Sequence, residues 1–219
     1  MEKKWFPFVC GMAISFLLLI IFNIRTMYYD SNGYEIMGEY IYKNGIFDMN
    51  MPKTSDEYQL FTIRGYAIAW FFALVRWLSM GSFYGKCLWL SVFYSGVFTY
   101  ALPELVEMIF GVTIKKIYRL IPLLFGFIFF RGLFVYTLSD VLALGVVAFG
   151  LFFFKKSHCY SEYFPRLLYV LISGVLLGAS YYIRSGNMIT ILISLLIILI
   201  SKERAFGKIC RVLLLGVAI

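Results

Sequence analysis

The sequence predicts an all-α fold: a polytopic transmembrane helical bundle whose extracytoplasmic first loop holds short interfacial helices. Three observations carry that expectation. Hydrophobic residues make up 62% of the chain and aromatics 20%, with a mean hydropathy of +0.84, which leaves too little polar surface to cover a soluble domain. Several apolar runs reach or approach the roughly 20 residues that cross a bilayer core as a helix. The polar stretch behind the first run, within residues 26–85, is rich in acids and aromatics but never becomes a soluble domain.

Met1-Glu2-Lys3-Lys4 and the apolar run Trp5 to Ile24 have the layout of a signal peptide. The run exceeds the roughly 7–15 residues of a signal's apolar core, however. No small-x-small cleavage site closes it, because Asn23-Ile24-Arg25-Thr26 follows. It reads as a retained first helix, and Lys3 and Lys4 place the N-terminus in the cytoplasm. Asp30 then faces outward.

Residues 26–62 carry Asp30, Glu35, Glu39, Asp48, Asp56 and Glu57 against Lys43 and Lys53, the balance expected of a translocated loop. Tyr34, Met37, Ile41 and Tyr42 recur at helical spacing, which predicts a short amphipathic helix along the membrane surface that Asn44-Gly45 stops. Residues 65–80 are apolar but short, are interrupted by Arg76, and carry Trp70 and Trp77. An interfacial or re-entrant placement suits them, because only then do the later charges alternate correctly. Lys115, Lys116 and Arg119 then fall inside, Asp140 outside, Lys155 and Lys156 inside, Arg184 outside, and Lys202, Arg204, Lys208 and Arg211 inside.

The spans expected on this scheme are 6–25, 86–103, 118–138, 141–154, 167–183 and 188–201, with a seventh beginning near Val212. That last run is still apolar at Ile219, so residues 1–219 read as a single transmembrane domain incomplete at its C-terminus. Pro103 to Arg119 reads as a solvated cytoplasmic connector. Gly174-Val175-Leu176-Leu177-Gly178 matches the small-xxx-small pattern of close helix packing.

Cys10, Cys87, Cys159 and Cys210 have no metal or redox spacing and read as small apolar residues. His158, the one histidine, sits in a basic turn and has no second histidine with which to share a metal. The net charge of +8 would suggest nucleic acid in a soluble protein; here topology explains it, and no nucleic-acid partner is expected.

Three polar groups share the outer face: Asp30, Asp140 and Arg184. Charges where helices meet lipid are costly and mark function when they face water or a cavity. Each also has a structural alternative. Asp30 and Asp140 each precede a helical run and can cap it, and Arg184-Ser185-Gly186 can close a helix or bind a phosphate. Arg64 opens the interfacial segment as a headgroup anchor or as the partner of a loop carboxylate. Arg131, about two turns before Asp140, pairs with a carboxylate or snorkels outward. Asp30 and Asp140 can share a divalent ion, but two carboxylates are too few to argue for a metal site.

The order of these features resembles the GT-C type membrane glycosyltransferases, the group of the protein mannosyltransferases and the lipid A aminoarabinose transferase. The resemblance rests on Asp30 with Tyr34 soon after the first helix, and on Lys43-Asn44-Gly45-Ile46-Phe47. It rests further on Arg64-Gly65-Tyr66 opening a short apolar helix, Thr137-Leu138-Ser139-Asp140 at a helix start, and Arg184 after a Gly-rich helix. It implies transfer of a sugar from a polyprenyl-phosphate carrier to an extracytoplasmic acceptor in a bacterial plasma membrane. Asp30 would be the general base, Arg184 and Arg64 the phosphate-binding cations, Tyr34 a further binding residue, and Asp140 a second acidic site. Ser31 follows Asp30 where many members have a glutamate, and Ala67 stands where a proline is usual. Members are also longer, so a piece of this length is open to being inactive alone. Two other classes compete: a non-enzymatic transporter, flippase or assembly protein, which charges lining a path between the faces would favour, and a polysaccharide polymerase or ligase, which would use outward basic residues in a late loop.

Overall fold

Ser95 and Gly96 mark where the helix at the start of the chain packs against a later helical run, both within reach of Phe8. The computed structural model describes residues 5–22, 29–45, 67–136, 138–159, 163–200 and 212, and every regular element among them is helical. In chain order these are α1 (Trp5–Ile21), α2 (Tyr29–Asn44), α3 (Ala67–Leu78), α4 (Phe83–Ser95), a π-turn (Gly96–Ala101), α5 (Leu102–Phe110), a 3-10 turn (Lys116–Leu120), α6 (Ile121–Phe129), α7 (Arg131–Val135), α8 (Ser139–Ser157), α9 (Tyr163–Ile183), a 3-10 turn (Ser185–Asn187) and α10 (Met188–Ile200).

α1 is apolar all round and buries a stripe of small residues plus one leucine, Pro7, Gly11, Ser15 and Leu19. That stripe admits α4 at short range. A Cβ on Gly11 would lie 2.7 Å from both Ser95 Oγ and Thr99 Cγ2, and Ser95 donates its hydroxyl to the Phe8 carbonyl at 2.6 Å. The two helices run antiparallel, since Trp5 stacks on Tyr100 while Leu19 shares a cluster with Cys87 and Leu90.

The predicted span 86–103 and the connector after it form one spine, because α4, the π-turn and α5 follow without a break from Phe83 to Phe110. Pro103 explains the wide turn. A proline inside a helix has no N–H to donate and crowds the preceding turn; here the backbone N–H of Leu102 reaches back to Val97 instead, in the i to i−5 pattern of a π-bulge. Gly111, at φ 66°, then ends α5 in the left-handed region.

The expected connector is therefore mostly helix, and its charges are structural. Buried Arg119 bonds Glu104 at 2.8 Å and Glu107 at 2.7 Å, and Glu107 also accepts the Ile114 N–H at 2.6 Å. The expected helix 118–138 is likewise not continuous. It breaks at Phe130 (φ −124°, ψ 29°) between α6 and α7, so Phe134 packs back against Gly126 and gives its carbonyl to Tyr94 Oη at 3.0 Å.

α8 runs parallel to the spine, with Gly96 under Phe149 and Tyr100 against Phe152 at 5.6 Å between ring centroids. α9 returns antiparallel along α8. Ser173 donates to the Gly150 carbonyl at 2.8 Å, Leu177 fills the space that a Cβ on Gly150 would occupy, and Gly174 and Gly178 are buried. Among the described residues one helix, Phe164–Ile183, is long and apolar enough to cross a membrane, and Trp5–Ile21, Ala67–Leu78 and Ser185–Leu199 are shorter apolar helices.

These contacts sort the charged residues onto two levels. Glu35, Glu39, Arg76, Lys86, Asp140 and Arg184 gather at one end; Glu104, Glu107, Arg119, Lys155, Lys156 and Arg166 lie at the other. Along the helices the levels stand about 22 Å apart from Asp140 to Lys155, and about 27 Å apart from Lys86 to Glu104 and from Arg166 to Arg184. No Asp, Glu, Lys or Arg occurs within 87–103, 141–154 or 167–183.

Candidate functional site

The first level is built on α2. Its apolar side places Tyr34, Met37 and Ile41 in one buried cluster with Ile68, Ala69, Phe72 and Ala73 of α3, Leu142 and Ala143 of α8 and Ile183 of α9. The spacing of those three residues is the amphipathic period expected from the sequence, and α2 stops where expected, with Asn44 followed by Gly45 at φ 98°. Gly38 is the contact point with α3, because a Cβ there would lie 2.6 Å from Phe72 Cβ and 3.1 Å from the Ala73 nitrogen.

The acidic edge of α2 is tied down by cations from its neighbours. Glu35 pairs with Lys86 of α4. Glu39 bonds Lys43 at 2.8 Å and Arg76 of α3 at 3.1 Å. The hydrogen bond from Lys43 holds the Glu39 carboxyl below its ordinary range, with partial burial opposing and Arg76 adding to the effect.

Asp30 falls within the first turn of α2, which begins one residue earlier at Tyr29; the backbone therefore does not make it the residue that precedes the helix, as an N-cap would be. Its side chain lies outside the described residues, as do Arg64 and Thr137. Tyr34 is 1% exposed inside the cluster. It anchors α2 and does not open onto solvent.

Asp140 and Arg184 are brought together as an ion pair, half-exposed at the end of the α8–α9 hairpin. The capping role open to Asp140 is not what is found: Leu138 is the N-cap of α8, and no side chain caps the helix. Arg184 does not close α9 with its side chain either. It is extended (φ −151°, ψ 111°), while Asn187 Nδ2 reaches the Ser180 carbonyl at 3.2 Å. Leu142 and Ile183, each within two residues of this pair, are the ones that join the α2–α3 cluster. Arg131 starts α7, outside α6, with its guanidinium 4.8 Å from the centre of the Phe22 ring.

Sequence reasoning missed the Glu35–Lys86 and Glu39–Arg76 pairs. The signal was present as Glu35 and Glu39 four residues apart on one helical face, but their partners lie on other elements.

An apolar groove of about 410 Å³ runs beside the spine from Leu74, Val75 and Leu78 of α3, past Trp89 and Phe93, to Trp5 and Tyr100. Among the described residues no charged side chain lines it. His158 caps the end of α8 with its ring edge-on to Phe154 at 5.3 Å. Among the described residues no three His, Cys, Asp or Glu side chains stand together as a metal site. Comparison with known family models, with curated proteins and with solved structures finds no match for this chain.

Proposed function

We propose that this chain is the bundle of an integral-membrane glycosyltransferase, with its N-terminus in the cytoplasm of a bacterial cell, that moves a sugar from a polyprenyl-phosphate carrier to an extracytoplasmic acceptor. The observation that carries the reading is the shared cluster joining α2, with Asp30 in its first turn, to the helix ends that bear Asp140 and Arg184. The separation of the two charged levels, about 22–27 Å along the helices, supports a bundle that crosses a bilayer core of about 30 Å. α3 is one of the shorter apolar helices among the described residues and packs against α2, which supports its lying in the outer interface.

In this reaction Asp30 takes the proton of the acceptor's nucleophile, which bonds to the anomeric carbon as the bond from that carbon to the carrier phosphate breaks. The phosphate is already a good leaving group, so one base suffices. Arg184 is 56% exposed at its side chain and offers five N–H donors, enough to keep Asp140 and still meet the departing phosphate. The groove beside the spine offers an apolar seat for the carrier's tail. The competing transporter, flippase or assembly reading would be favoured by charges lining a path between the faces, and residues 87–103, 141–154 and 167–183 carry no Asp, Glu, Lys or Arg.

The test is Asp30→Asn in the full-length protein, assayed for transfer from polyprenyl-phosphate sugars in native membranes. The expected result is normal membrane insertion with transfer abolished. Ordinary turnover by the variant would reject the assignment.

A further inference from the structure

At the second charged level the charges of α5 turn inward, and the face left outward is apolar. Glu104 and Glu107 both meet Arg119 of the 3-10 turn, whose side chain is 5% exposed, and Glu107 also takes the Ile114 N–H. Val106, Ile109 and Phe110 of the same helix are exposed, Phe110 at 71%, and they fall at the i, i+3 and i+4 positions of one helical face. A helix on a water-facing surface turns its apolar stripe to the core and its charges out. α5 does the reverse.

The reversal continues around the bend. Gly111 closes α5 in the left-handed region, and beyond it Ile117 and Tyr118 are exposed while Arg119 and Leu120 are buried. Ile121, Leu124, Phe125 and Ile128 then carry the exposed apolar face along α6. Lys115 is exposed at the tip of this elbow, and every residue from Leu102 to Phe129 is among those described.

Depth favours lipid over a second protein as what covers the face. The two charged levels stand about 22–27 Å apart along the helices, less than the roughly 30 Å of a bilayer's hydrocarbon core. In a bundle that crosses the membrane, Arg119 and its two acids therefore sit at the edge of the hydrocarbon and not beyond it. Without water, charges there must find their partners inside the protein, and these three supply one another.

We propose that the elbow from Val106 to Ile121 is set into the leaflet at this level. Phospholipid acyl chains cover Val106, Ile109, Phe110, Ile117, Tyr118 and Ile121, and Lys115 reaches back to the headgroup phosphates. The proposal rests on the membrane-crossing bundle of the reading above and not on its transfer chemistry.

The experiment uses the unaltered full chain in phosphatidylcholine vesicles doped with a phosphatidylcholine that carries a diazirine in mid-chain, with the light-induced adducts mapped by peptide mass spectrometry. Val175, exposed on the helix Phe164–Ile183, is the internal standard. Segments 106–110 and 117–121 are expected to take adducts at a yield equal to that around Val175. Lys115 should take none and should stay open to a water-soluble acylating ester. An elbow without adducts beside a labelled Val175 would overturn the proposal and leave the membrane bundle standing, whereas no adducts at either place would overturn both. Adducts on Lys115 with no acylation would remove the headgroup contact. Diluting the protein about ten-fold in lipid weakens any contact between copies by mass action and is expected to leave the elbow's yield unchanged; a yield that rises on dilution would assign the face to a second copy and overturn the lipid assignment.

Discussion

Arg184, just past the end of α9, pairs with Asp140 in the first turn of α8, so the two ends of the hairpin are joined at the level where α2 docks. Their side chains remain 56% and 41% exposed, and exposed pairs contribute only about 0–1 kcal/mol. Arg184→Gln is therefore expected to leave Tm nearly unchanged while sharply lowering transfer. The double exchange Asp140→Arg with Arg184→Asp should restore the pair but not the activity. Parallel melting and transfer assays check this; a large fall in Tm for the single variant would mark the pair as a strut.

Glu39 gives a pH dependence whose sign is fixed. Its carboxyl is held below the ordinary value by Lys43 first and then Arg76, so the native state favours the charged form more than the unfolded chain does. The resulting stabilisation is fully present above the ordinary glutamate pKa of about 4.3 and is lost as pH falls from there through the lowered value. Amide exchange across α2 is expected to quicken in that acidic window, and Glu39→Gln should flatten the change. A variant with the same acid response as the parent would show that other carboxylates hold α2.

The helices that pack by their own period were legible in the sequence. α2 follows Tyr34, Met37 and Ile41 and ends at a glycine with positive φ, and Gly174 and Gly178 lie buried in α9 beside its contact with α8. The parts that were not legible depend on neighbours. Pro103 alone does not reveal that a π-turn will absorb it, and the break at Phe130 is fixed by Phe134 packing on Gly126. At the candidate site the sequence named Asp140 and Arg184 but not their pairing. Ion pairs between distant elements leave no periodic trace.

Gly38 tests whether close approach of α2 to α3 sets the site. A Cβ there meets Phe72 Cβ at 2.6 Å and backbone at 3.1 Å, so the neighbour cannot move aside by rotating a side chain. Gly38→Ala gains roughly 0.5–1 kcal/mol of helix propensity but overpacks the contact at a cost of about 1–3 kcal/mol. The expected outcome is a net loss of stability confined to α2 and α3, read as faster amide exchange there with α9 unaffected. A stabilised variant would mean that α2 does not need this contact.

Arg119 presents the opposite case, a charge that is costly to remove because it is buried. It serves Glu104 and Glu107 together, and Glu107 in turn fixes the loop through the Ile114 N–H. Arg119→Met leaves two carboxylates facing each other without their shared partner, a change that costs about 3–5 kcal/mol when a buried pair is broken from one side. Arg119→Lys keeps the charge but not the fork that reaches both acids, so an intermediate loss is expected. Adding Glu104→Gln and Glu107→Gln to Arg119→Met removes those two charges and should recover much of the stability. Thermal melts of the three variants in one detergent decide it: a triple variant no better than Arg119→Met would show that the fork matters for its shape and not for its charge.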